Sequence, residues 1–250
     1  MTCIAKQCVM GPTSPPPEPD LSLTDVVALI PNDARVIAVA GAVAAGKSTL
    51  SSNLAALLVD RGTVTVVSTD GFLLSNLTLG QRGLLERKGF PESYNVAALQ
   101  RFVTAVRENQ PTISVPKYSH SLFDVVEGAT ITAPDVVIIE GVNALQPDVA
   151  ALADVCIYLD APDDAIIGWF TTRFVELTDE ARRSHQGFYV RFASLGHQEV
   201  QAMARNVWDS INGPNLQEHI RPTMAHATIV VTKRLDHSIE SIRQGSTRCA

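Results

Sequence analysis

Apolar residues fall along this chain in two patterns. Short unbroken runs occupy 35–40, 63–68, 135–139, 154–159 and 227–232. Several are rich in β-branched residues, as in Val136-Val137-Ile138-Ile139. Runs of that kind suit strands covered on both faces of a parallel sheet. Between them, apolar residues recur at helical spacing. This predicts a short helix over 21–30 and longer ones over 48–60, 95–108, 163–177 and 198–211. The 48–60 helix places Leu50, Leu54, Leu57 and Leu58 on one face, with Gly62 as a stop. The 198–211 helix carries Val200, Met203, Ala204, Val207 and Ile211 and is expected to end at Asn212-Gly213-Pro214. Strands alternating with helices indicate an α/β fold, a doubly wound and mainly parallel sheet with helices on both faces.

Residues 11–19 read Gly-Pro-Thr-Ser-Pro-Pro-Pro-Glu-Pro, which forms neither a helix nor a central strand. Residues 1–20 are therefore expected to be a poorly ordered leader, with 21–250 forming one domain. No internal repeat is visible.

Composition narrows the functional classes. The 250 residues are 46% hydrophobic and 18% charged, with a net charge of −6. An acidic chain without a long basic run is a poor partner for nucleic acid, whose phosphates require clustered Lys and Arg. No apolar stretch approaches the ~20 residues that span a bilayer. The cysteines at 3, 8, 156 and 249 form no C-x-x-C pair. Cys156 lies in an apolar run and reads as a small core residue. A reduced cytoplasm is the compartment this usage suits.

The strongest chemical feature follows the run Val36 to Ala40. Residues Gly41-Ala42-Val43-Ala44-Ala45-Gly46-Lys47-Ser48, followed by Thr49, match G-x-x-x-x-G-K-S between a strand and a helix. That context separates a phosphate-binding loop from a chance match. Glycines let the loop turn tightly, so several N–H groups can point at one polyphosphate. Lys47 adds a charge for the terminal phosphates, Ser48 a hydroxyl for Mg²⁺, and the helix N-terminus a favourable dipole.

Two acids end other strands of the same sheet. Ser68-Thr69-Asp70-Gly71 follows the second strand, and Glu140-Gly141 ends the run at 135–139. Open α/β sheets bind ligands beyond the carboxyl ends of their strands. Both acids should therefore share a rim with the phosphate loop. An acid after a strand often only caps a turn. Beside a phosphate loop, the pair suits phosphoryl transfer, with one acid near Mg²⁺ and one near the attacking hydroxyl.

Further segments sharpen the reading: Thr69-Asp70-Gly71-Phe72-Leu73, Arg87-Lys88-Gly89-Phe90-Pro91-Glu92-Ser93-Tyr94-Asn95, Tyr118-Ser119-His120, and Glu140-Gly141-Val142-Asn143-Ala144-Leu145. With these, the chain resembles the bacterial type I pantothenate kinases, within the wider uridine kinase and phosphoribulokinase group, over about residues 35–244. The resemblance implies ATP and Mg²⁺ as cofactors and pantothenate as the acceptor. It makes Asp70 the contact of the acceptor hydroxyl and Glu140 the acid near the metal. Arg173 then steadies phosphate charge. Tyr118, His120 and Asn215 surround the acceptor, and Lys233 and His237 lie beside the adenine. It further implies a homodimer and coenzyme A as a possible inhibitor.

The chain departs from the family's pattern at several places. Phe123 and Phe170 stand where tyrosine is usual, and both are expected at the acceptor pocket. Leu177 replaces an aromatic, on the same helical face as Phe170 and Arg173. Thr223-Met224 lacks an arginine, and 180–194 diverges most while holding Phe188 and Tyr189. The chain also starts closer to the phosphate loop than family members do. Three functions are therefore weighed. The first is a pantothenate kinase, and the second a related kinase for another small hydroxylated metabolite. The third is a non-catalytic nucleotide-binding regulator, disfavoured because Lys47, Asp70, Glu140 and Arg173 are all retained.

Overall fold

The computed structural model describes residues 21–245 and 249. The Pro-rich stretch expected as a leader, with Cys3 and Cys8, lies outside them. In chain order the main elements are α1 (Leu23–Ala28), β1 (Val36–Gly41), α2 (Lys47–Leu57), β2 (Val64–Ser68), α3 (Asn76–Gln81), α4 (Val96–Arg107), β3 (Ile113–Ser119) and β4 (Asp124–Ile131). They continue with β5 (Val136–Glu140), α5 (Pro147–Ala150), β6 (Val155–Asp160), α6 (Asp163–Ser184), α7 (His197–Val207), β7 (Ile229–Lys233) and β8 (Ile239–Gln244).

Six strands form one sheet in the order β2-β5-β1-β6-β7-β8. The first five are mutually parallel, and β8 closes the edge antiparallel to β7. The unbroken runs are the buried strands. In β5 the alternation is sharp: Val136 and Ile138 enter one core with Leu54 of α2 and Phe174 of α6, and Val137 and Ile139 enter another with Phe102 and Val106 of α4. Successive side chains of a strand point to opposite faces, so both faces of this sheet are covered. The doubly wound architecture is as expected.

Three expectations need correction. On α2, Leu50, Leu54 and Leu58 are buried, but Leu57 is 42% exposed and Ser51 is buried in its place. The buried stripe follows i, i+4, i+8, and Leu57 falls beside it. The chain does not break at Asn212-Gly213-Pro214: helical turns run on from Trp208 to His226, with wide π-type turns over Trp208–Asn212 and Leu216–Ile220. Pro214 starts a new helical segment, where its missing N–H costs little, and the widened turns accommodate its ring. Cys156 is fully buried, as expected, yet it is joined to Cys249 in a disulfide with the Cα atoms 5.7 Å apart. That pairing departs from the reduced setting inferred from cysteine usage.

Two features escape the sequence pattern. A separate hairpin, β3–β4, packs against the Thr69–Phe72 turn after β2, and its register shifts between Val115 and Lys117. Pro116 lies at that irregularity; a proline inside a polar run hides a strand. The edge strand β8 is hidden likewise, by Glu240, Ser241 and Arg243. Helix α6 also continues past 177 to Ser184, stopped by His185 in the left-handed conformation.

Candidate active site

The loop after β1 is built from backbone constraints. Gly41 has φ +149° and sits against β6, where a Cβ would lie 2.3 Å from the Leu159 carbonyl oxygen. Gly46 has φ +93° and precedes α2. Ala44 also holds a positive φ, 62°. Alternating conformations of this kind turn successive N–H groups inward, as an anion-binding concavity requires. Two lysines grip the loop: Lys47 Nζ donates to the Ala42 carbonyl at 2.8 Å and Lys233 Nζ to that of Ala45 at 3.0 Å. Burial lowers the pKa of both amines. At Lys47 the neighbouring Glu140 and Asp70 carboxylates oppose that effect, and the Arg173 charge adds to it.

Sheet topology brings the acids to the loop. Val39 of β1 is in register with Glu140, and Glu140 in turn with Ser68 of β2, so the strand ends lie side by side. Ser48 Oγ donates to Glu140 Oε1 at 3.1 Å, and Glu140 is buried. Two adjoining hard oxygen donors fit Mg²⁺, which takes one or two protein ligands and otherwise keeps water and phosphate oxygens. Among the described residues no three His, Cys, Asp or Glu side chains cluster as a metal cage. The donors present fit a phosphate-bridged ion and no fuller protein coordination.

On one flank of the loop lies a cavity of ≈ 580 Å³, lined by Thr49, Asn53, Trp169, Arg173, Lys233 and His237 among others. Trp169 and His237 stack there, centroids 4.2 Å apart and planes 21° apart. Burial and the Lys233 charge hold the His237 imidazole below its usual pKa. A flat apolar slot beside a phosphate loop has the chemistry of a nucleobase site.

Asp70, half-buried, stands on the other flank. Its charge is felt by Lys47, Lys88, Tyr94 and Tyr118. Burial, then Asp70, raises the Tyr118 hydroxyl well above its usual pKa, with Tyr189 and Asp124 adding to the effect. Over this side the hairpin and the α6–α7 connection meet. Phe123 (φ +54°) stacks on Phe188 at 4.0 Å, Lys88 Nζ lies 4.3 Å over Phe123, and Arg191 lies 3.5 Å over Phe188. His120 is exposed, edge-on to Tyr118 at 5.2 Å. Asn215 donates to the Gly89 carbonyl at 3.0 Å, and its buried Oδ1 finds no partner among the described residues.

The structure thus brings together Lys47, Ser48, Asp70, Glu140 and Arg173, with Lys233 and His237 lining the cavity on one flank and Tyr118, His120, Phe123 and Asn215 on the flank of Asp70. Phe170 differs from expectation. It is buried in the core, 5.5 Å from Trp208 and 6.1 Å from Phe174. A ring so placed needs no hydroxyl, which accounts for phenylalanine there. Residues without a role in the sequence reading also appear. Lys88, Tyr94 and Asn143 lay within the quoted motifs, and Trp169 adjoins Phe170. Tyr189, from the divergent stretch, sits near Tyr118 and Arg173.

With this geometry in view, the likenesses to known proteins converge. Residues 36–175 match the model of the Phosphoribulokinase / Uridine kinase family. The chain is 45% identical over 219 residues to the pantothenate kinase of Clavibacter michiganensis subsp. michiganensis, covering 83% of this chain and 69% of that protein. It is 40% identical over 229 residues to the pantothenate kinase of Nocardioides sp., covering 85% and 70%. Among solved structures, a candidate fructose transport system kinase from Silicibacter sp. TM1040 is 28% identical with a TM-score of 0.61, covering 78% of this chain and 90% of that one. The D-glycerate 3-kinase of Cryptococcus neoformans, 14% identical with a TM-score of 0.58 over 89% and 94%, shares the fold. The chain belongs to the phosphoribulokinase and uridine kinase family, and within it to the pantothenate kinases.

Proposed function

We propose that the protein is an ATP-dependent kinase that transfers the γ-phosphate of ATP to the primary hydroxyl of pantothenate, the first step towards coenzyme A. The observation that carries this is the meeting of Asp70 with Lys47, Ser48 and Glu140 at one rim of the sheet, in a chain so similar to pantothenate kinases.

Each residue then has a task. Backbone N–H groups of 41–49 hold the polyphosphate, and Lys47 leaves the Ala42 carbonyl to follow the terminal phosphate. The base lies against Trp169 and His237, with Lys233 fixing the loop beneath. Ser48 and Glu140 would hold Mg²⁺, which would supply neutralisation of phosphate charge. Asp70 orients the acceptor hydroxyl and takes its proton. Arg173, exposed at the rim, moves in to offset charge on the transferring group. Tyr118, His120, Phe123 and Asn215 surround the acceptor. A homodimer inhibited by coenzyme A, with residues 21–250 as one kinase domain, completes the proposal.

A second reading, a kinase for another small hydroxylated metabolite, is favoured by Phe123 alone, since Phe170 belongs to the core. Tyr189 offers a hydroxyl on the same side of the site, which supports pantothenate. The test is phosphorylation of pantothenate, pantetheine and uridine by the purified protein with Mg-ATP. Pantothenate is expected to have the highest kcat/KM. A higher value for another acceptor establishes the second reading, and no turnover of any acceptor the regulatory one.

A further inference from the structure

The base, Asp70, does not stand alone. Tyr94 closes the Lys88–Asn95 stretch, and its hydroxyl donates to Asp70 Oδ1 at 3.1 Å. The stretch is strapped to the chain just after Asp70: Leu74 N donates to the Ser93 carbonyl at 2.8 Å and Asn95 N to that of Phe72 at 2.7 Å, with Leu73 paired to Tyr94. Its start is held as firmly. Asn143, two residues past the Gly141 turn, and Asn215 both donate to the Gly89 carbonyl, at 2.9 and 3.0 Å. Burial, reinforced by Asp70, raises the Tyr94 pKa, so the hydroxyl remains a donor at all working pH values. Thr69 and Asn143 also adjoin that hydroxyl.

We propose that Tyr94 is a positioning residue of the phosphoryl transfer: its hydroxyl occupies Asp70 Oδ1 and so leaves Oδ2 as the oxygen that meets the acceptor hydroxyl. This rests on the assignment of Asp70 as the base. A carboxylate accepts through several lone pairs and rotates about its terminal torsion. A fixed donor on one oxygen removes that freedom, and reaction rate depends steeply on such alignment. Tyr94 is not among the residues lining the base slot, so nucleotide binding is expected to be independent of it.

The test is Tyr94→Phe, which removes one oxygen and keeps the ring, alone and combined with Asp70→Asn. Kinetics are measured with pantothenate and Mg-ATP, alongside thermal unfolding. Tyr94→Phe is expected to lower kcat about tenfold, with the KM for ATP and the melting temperature unchanged. In the Asp70→Asn background it should lower kcat less than twofold, because residues acting as one unit are non-additive. A kcat for Tyr94→Phe within twofold of wild type overturns the proposal. So does an equal loss in both backgrounds, which marks a structural role. If Asp70→Asn alone turns over normally, the base assignment fails and this proposal fails with it. Should Tyr94→Phe unfold, Tyr94→His keeps a donor, and full turnover by it with loss in Tyr94→Leu supports the proposal, while equal loss in both overturns it.

Discussion

The amine of Lys47 is folded back onto the carbonyl oxygen of Ala42, 2.8 Å away, inside its own phosphate loop. The charge is thus stored over the cradle, 92% buried and partly offset by Glu140 and Asp70. A buried amine satisfied by one carbonyl contributes little to stability, which agrees with the proposed move of Lys47 to phosphate.

Lys47→Met is accordingly expected to lower kcat on the order of 10³-fold while leaving the melting temperature equal or higher. Steady-state kinetics and calorimetry check both halves. A large drop in melting temperature would show that the lysine is structural.

Asp70→Asn keeps the shape of the side chain and its contact with Tyr94 while removing the proposed proton acceptor. The expected loss in kcat is on the order of 10²–10⁴-fold, with the dissociation constant for ATP within about twofold, since Asp70 lies outside the base slot. Equilibrium nucleotide titration and turnover measured on one preparation separate the effects.

The acceptor side turns on a single ring. Phe123→Tyr restores a hydroxyl next to Lys88 and Phe188 and is expected to change pantothenate kcat/KM less than about threefold, because Tyr189 and Tyr118 already supply hydroxyls. Tyr189→Phe is expected to lower it several-fold, at about 1 kcal/mol per hydrogen bond. Phe170→Tyr should instead act on stability, by placing an unpartnered hydroxyl in the core beside Trp208. Chemical denaturation distinguishes it from the other two.

Stability should depend on pH through Asp154, which accepts from the backbone N–H of Arg35 and Val36, each at 2.8 Å, and from Arg107 at 2.7 Å. Burial raises its pKa, but the Arg107 contact and the two backbone donors outweigh that, and the net shift is downward. A carboxylate with a lowered folded pKa stabilises above its unfolded value, near ~3.9, and loses that contribution as pH falls through the folded value. Asp154→Ala is expected to cost about 2 kcal/mol at pH 7, a difference that shrinks below about pH 4. Urea titrations of both proteins across pH 3–8 measure it.

Much of this protein is decided locally and is legible in its residues. Unbroken β-branched runs fix which strands are buried on both faces, and the Gly41–Ser48 spacing fixes the phosphate loop. The acids at 70 and 140 follow strands, so a parallel sheet must carry them to one rim. Tertiary structure decided what local pattern cannot encode. Strands β3 and β8 are too polar or too interrupted to announce themselves, since their partners, not their own hydrophobicity, hold them. Pro214 stops an isolated helix, but packing of Trp208, Leu216 and Ile220 into the core carries the helical path past it. Phe123 and Phe170 look alike as departures in the sequence, yet one stacks on Phe188 beneath Lys88 and the other packs against Phe174 and Trp208 in the core, because partners distant in sequence set where each ring lies. The contact of Tyr94 with Asp70 likewise joins residues 24 apart, through a strap that exists only once the chain is folded.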